Sequence, residues 1–158
     1  MSFVISALSA DAFRPLFDLA DEELAARGVL RRTANAKPGF PCRLTLEDAE
    51  PGESVLLLNY EHQPAETPFR AAHAIYVRER AAPPQTVRYV DEVAPVMAAR
   101  SHMSLRAFDE SGMMVDAELA PRAELKPTIE RLLGQPNVAY LHAHYAGAGC
   151  YAARIDRA

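Results

Sequence analysis

Val138-Ala139-Tyr140-Leu141-His142-Ala143-His144-Tyr145-Ala146-Gly147-Ala148-Gly149-Cys150-Tyr151-Ala152-Ala153-Arg154-Ile155 reads as a β-hairpin. Two strand-like runs, Val138 to Tyr145 and Cys150 to Ile155, flank a small-residue turn. Side chains alternate along a strand, so Tyr140, His142 and His144 fall on one face. The register stays open. If Ala146 pairs with Cys150, the thiol lies on the histidine face; if Tyr145 pairs with Cys150, it lies on the other, because a one-residue slip swaps the faces. A second hairpin, His102 to Phe108 with Met113 to Leu119, turns at Asp109-Glu110-Ser111-Gly112. Ser54 to Tyr60 carries a continuous apolar run, the mark of a strand buried on both faces. Residues 2–8, 29–34, 42–46 and 73–79 give further strands.

Helical signals are few. Phe13, Leu16 and Phe17 share a face after Ser9 or Asp11, and Asp21 caps a second short helix that Gly28 ends. Residues 93–99 suit a helical turn. Leu125, Ile129, Leu132 and Leu133 line one helix face, with Pro127 in its first turn and Gly134 and Pro136 beyond its end. Strands outnumber helices and come as hairpins. The expectation is an α+β fold, one domain over 1–158, with a largely antiparallel sheet and about three short helices.

The chain has 158 residues, 49% of them hydrophobic, with 17 basic and 21 acidic residues for a net charge of −4. Disorder is excluded, because it needs low hydrophobicity and high net charge. There is no basic excess to neutralise phosphates, so no nucleic-acid partner is expected. No apolar run reaches the roughly 18–20 residues of a membrane span, so no membrane partner is expected either. No basic residue precedes Arg14, which argues against a secretory leader. Cys42 and Cys150, 108 positions apart, read as free thiols in a reducing cytoplasm. The 15 arginines against 2 lysines read mainly as base composition. Met97, Met103, Met113 and Met114 read as gap-fillers of the core.

Phosphate-cradling GxGxxG, HExxH, CxxC and GxSxG patterns are all missing. The positive signals are polar groups at strand ends. His142 and His144 are candidate ligands for a divalent transition metal, since neutral imidazole suits zinc, iron or nickel. A third ligand would come from His62, His73, Glu61 or Cys150. Tyr140 is a candidate ligand-binding group on the same face. Cys42 beside Arg43 is a candidate nucleophile. Glu61 and His62 offer an acid–base pair in the polar run Asn59 to Gln63, placed at a sheet rim where the strand gives way to a loop. Arg43, Arg70 and His73 are candidate ligand-binding residues, the guanidiniums for a carboxylate. Each has a bland alternative: packed histidines, a buried thiol, a solvated ion pair.

The segments Lys37 to Arg43, Leu58 to Pro64, His73 to Ile75, Arg106 to Asp109, Gly112 to Ala117 and Gly149 to Arg154 run in order over nearly the whole chain. Together they resemble the bacterial family known as domain of unknown function 1203. The resemblance implies a small single-domain bacterial protein and implies no activity.

Two readings compete. One is an enzyme or small-molecule-binding domain whose pocket gathers Cys42, Arg43, Glu61, His62, Arg70, His73, His142 and His144. The other is a non-catalytic interaction or structural module, a homo-oligomer among its forms. They part on one question: whether those side chains converge.

Overall fold

A computed structural model describes residues 1–158. The chain begins with β1 (Phe3–Ser6), two short 3-10 turns (Ala10–Ala12, Arg14–Leu16), α1 (Asp21–Ala25) and β2 (Leu30–Thr33). Then come β3 (Ser54–Gln63), β4 (Ala71–Arg78), β5 (Arg88–Val90) and α2 (Pro95–Ala98). β6 (His102–Phe108), β7 (Met114–Pro121), a 3-10 turn at Arg122–Glu124, α3 (Leu125–Leu133), β8 (Tyr140–Tyr145) and β9 (Tyr151–Arg157) complete it. Both hairpins form. The fold is α+β and mostly sheet, with every ladder antiparallel.

The strands make two sheets: six strands in the order β5-β1-β9-β8-β6-β7, and three in the order β2-β3-β4. One face of the larger sheet packs on α2 and α3. Phe3, Ile5, Met103, Leu105, Leu141, Ala143 and Ile155 meet Val96, Met97, Ile129 and Leu132 there. Helix α3 forms because its apolar residues recur at helical spacing, and all four that the periodicity marks are buried. A second core lies on the smaller sheet, where Leu56, Leu58, Ile75 and Val77 meet Phe13, Leu24, Cys42 and Leu44. Burying side chains of this size stabilises by about 1.5–3 kcal/mol each.

Four local expectations need correction. Residues 42–46 form no strand. Leu46 donates its N–H to the Cys42 carbonyl and takes a left-handed φ of 54°, which bends the segment into a tight turn. What remains is a bridge from Cys42 to Tyr76, and a backbone tie in which Leu8 N–H donates to Arg43 and Arg43 N–H to Tyr76. The polar run Asn59 to Gln63 is not a rim loop, because β3 continues to Gln63. Of its inward positions, Tyr60 packs on Phe13 at the edge of the smaller core, whereas His62 faces other imidazoles, which hydrophobic periodicity could not mark. Ala20, not Asp21, precedes the first turn of α1, and its N–H is met by the Glu23 carboxylate at 3.1 Å. Finally, Met97 and Met103 are buried, but Met113 is exposed at a hairpin turn.

The Tyr145 N–H donates to the Cys150 carbonyl at 3.0 Å, so the hairpin takes the second register at its turn. The Cys150 thiol therefore leaves the histidine face. A β-bulge follows: His144 pairs with Tyr151, but Ala143 pairs with Ala153. The extra residue turns the Tyr151 ring onto the histidine side.

Candidate metal centre

The second face of the larger sheet carries Tyr140, His142 and His144, as the alternation of β8 requires. The smaller sheet lays the inward ends of β3 and β4 against it. His62 and His73 lie near the ends of these two paired strands, so four imidazoles from three strands meet between the sheets. His62, His142 and His144 are buried, and their ligand nitrogens all lie within 4.8 Å of one another. His62 Nδ1 is 3.4 Å from His142 Nδ1, and His62 Nε2 is 2.7 Å from His73 Nδ1. Tyr151 lies parallel to the His62 ring at 4.9 Å between centroids, and fixes its plane.

Hydrogen bonding assigns the tautomer at His144. Its Nδ1 lies 3.0 Å from the Gly149 carbonyl, which accepts only, so Nδ1 carries the proton. Its Nε2 is then a bare lone pair, buried and without any partner. Such an atom is costly unless something fills it.

Burial keeps the cluster neutral. Loss of hydration lowers His142 and His144 to about 3 and His62 to about 4, with neighbouring imidazoles and arginines adding to the effect. His73 is lowered too, by burial and then by Arg106 and Arg43. Arg106 pairs across the ladder with His142 and is half-buried, and its guanidinium has no hydrogen-bond or ion-pair partner. Burial also pushes its guanidinium down. Arg154, on the other side of His142, covers the Tyr140 ring at 3.8 Å and pairs with Asp156.

The remaining candidates are placed elsewhere. Cys42 is fully buried in the smaller core, its sulfur accepting the N–H groups of Leu44 and Arg78 at 3.3 Å each. That leaves no approach for a substrate, and the nucleophile reading gives way to the buried-thiol one. Glu61 points to the opposite face from His62 and pairs at 2.6 Å with Arg70, both partly in solvent. Neither reaches the imidazoles. Adjacent residues on a strand diverge, so Glu61 and His62 form no acid–base pair. Arg43 is buried one layer away: its Nε donates to the Tyr151 carbonyl at 2.8 Å, not to the cluster. Tyr140 borders the site, stacked on Phe108 at 5.4 Å and accepting from Gln63 Nε2 at 2.8 Å. Arg106 and Tyr151 escaped the sequence reading. Strand order alone places Arg106 opposite His142, and a bulge alone turns Tyr151 inward.

No helix is long and apolar enough to cross a membrane. No curated protein and no solved structure matches the chain. A family model described as "Protein of unknown function (DUF1203)" matches residues 39–157, which include all four clustered histidines. The chain belongs to the DUF1203 family.

Proposed function

We propose that the protein binds one divalent transition metal ion through His62, His142 and His144, at the centre of a small-molecule-binding or enzymatic site. The observation that carries this reading is the set of three buried imidazoles with nitrogens within 4.8 Å, one of them bare and unpartnered. Zinc–nitrogen bonds of about 2.0–2.1 Å at tetrahedral angles set ligand nitrogens about 3.3–3.4 Å apart. His62 Nδ1 and His142 Nδ1 are 3.4 Å apart.

The outer contacts fit as well. Ligating histidines usually hand their second N–H to a carbonyl, a carboxylate or another acceptor. His144 hands its own to Gly149, and His62 has His73 as the acceptor at Nε2. Burial supports the reading further, because imidazoles that stay neutral keep their lone pairs for a cation.

Charge then says what completes the site. The three ligands are neutral, Arg106 adds a positive charge, and no carboxylate is among the groups acting on the imidazoles. The fourth position is suited to hydroxide or to an anionic ligand lying toward Arg106. A metal held by three protein ligands supplies Lewis acidity to such a molecule.

The test is elemental analysis of protein purified without a histidine tag, followed by zinc titration of the chelator-treated protein. One metal per chain, absent in His142→Ala, is the expected result. A wild-type chain that stays metal-free in micromolar zinc overturns the reading and leaves the hydrogen-bonded, non-catalytic module.

A further inference from the structure

A cavity of about 380 Å³ opens on the far side of the Tyr151 backbone from the histidines. Ligand pockets usually run from about 300 to 1,000 Å³, so a small molecule fits. Among its lining residues are Arg43, Arg100, Tyr145 and Cys150, and none is acidic.

Arg43 is the anomaly. It is 1% exposed, and a buried guanidinium normally has a carboxylate partner. Here its donors reach no carboxylate: they go to the Tyr151 carbonyl at 2.8 Å, the Pro41 carbonyl at 2.6 Å and the Cys150 sulfur at 3.4 Å. Arg100 is different, because Asp48 grips it with two oxygens at 2.5 and 2.8 Å. Asp48 is therefore spent, and the cavity wall holds one positive charge in excess.

A second orphan sits between the two arginines. The guanidinium carbons of Arg43 and Arg100 lie 5.0 and 5.1 Å from the centre of the Tyr145 ring. The Tyr145 hydroxyl is buried and has no hydrogen-bond partner. A buried O–H left without a partner is unfavourable, and a ligand oxygen would satisfy it. At the mouth, the N–H groups of Ala146, Gly147 and Ala148 make no backbone hydrogen bond.

From the uncompensated Arg43 and the orphaned Tyr145 hydroxyl we infer that this cavity binds a small organic carboxylate. The carboxylate head takes the hydrogen bond of Tyr145 and balances Arg43. The apolar body lies on Pro41, Tyr76 and Ala146. This site is separate from the metal centre and does not depend on it.

The probes are acetate, propionate and benzoate, each against its neutral amide, followed by the backbone amide resonances of the whole chain. The carboxylates should shift Arg43 and the 145–150 segment and saturate in the millimolar range, while acetamide, propionamide and benzamide leave them in place. Arg43→Met removes the buried charge but risks the fold. Tyr145→Phe keeps the ring and should weaken the best carboxylate about 5- to 10-fold. No shift with any of the three carboxylates, equal shifts with the amides, or unchanged affinity in Tyr145→Phe would each overturn the inference.

Discussion

His62 Nε2 and His73 Nδ1 lie 2.7 Å apart, with their rings within 5° of parallel, although 11 residues separate them in the chain. The pair exists because β3 and β4 are antiparallel neighbours, with Tyr60 opposite His73 and an irregularity next to His62. His73 thus orients His62 from behind and leaves Nδ1 turned to His142. Partners of this kind typically change metal affinity by about 10–100-fold. His73→Ala should weaken zinc by that factor in competition with a chromophoric chelator, whereas His62→Ala should abolish binding. Equal losses in the two variants would make His73 a ligand rather than a support.

Proton uptake gives a second expectation, for metal-free protein. The unfolded chain protonates its imidazoles near 6.5, but burial delays His62 to about 4 and His142 and His144 to about 3. The unfolded state therefore binds more protons through that interval, and stability rises with pH there. It should be full above pH 6.5 and fall steadily as pH drops toward 4. Glu53, held low by its bond to Arg78, adds its own loss only at more acidic pH. Urea midpoints from pH 7.5 to 4.5 check this. A flat profile would mean that the imidazoles are not shut away from water.

Arg106 carries a third. Removing its guanidinium from beside His142 should leave metal binding intact and weaken anions at the open coordination position. In cobalt-loaded protein, phosphate or acetate should shift the visible bands of the wild type at lower concentration than in Arg106→Ala. Identical titrations would detach Arg106 from the site.

Two tyrosines should behave oppositely. Tyr140→Phe strands the buried Gln63 Nε2 and should cost about 1–3 kcal/mol. Tyr145→Phe removes a hydroxyl that has no partner and should be neutral or stabilising. Thermal unfolding of the two variants, side by side, decides it.

The surface pair is the control. Glu61→Gln breaks only a half-exposed bond to Arg70, worth at most about 1 kcal/mol. It should change neither metal stoichiometry nor stability measurably. A loss of metal in this variant would bring Glu61 back as a site residue.

Much of this was legible in the chain itself. The pairing of His142 with His144 on one face follows from strand alternation, and both hairpins are marked by their turns. The α3 periodicity is plain. What local patterns cannot carry is how strands from separate sheets meet. His62 and His73 looked like rim polars because their inward neighbours are other histidines, which hydrophobic patterning does not count as core. The register of the last hairpin hinged on one residue, and a bulge then reversed part of the answer for Tyr151. Cys42 next to Arg43 suggested chemistry, but the two neighbours diverge: the thiol enters one core and the guanidinium lines the wall of a cavity.

Anomalous diffraction from zinc-soaked crystals of the tag-free protein, recorded above and below the zinc absorption edge, tests the metal centre most directly. The expected result is a single strong peak about 2.1 Å from a nitrogen of each of His62, His142 and His144. A difference map with no peak between the two sheets, the imidazoles joined only to one another, would contradict it.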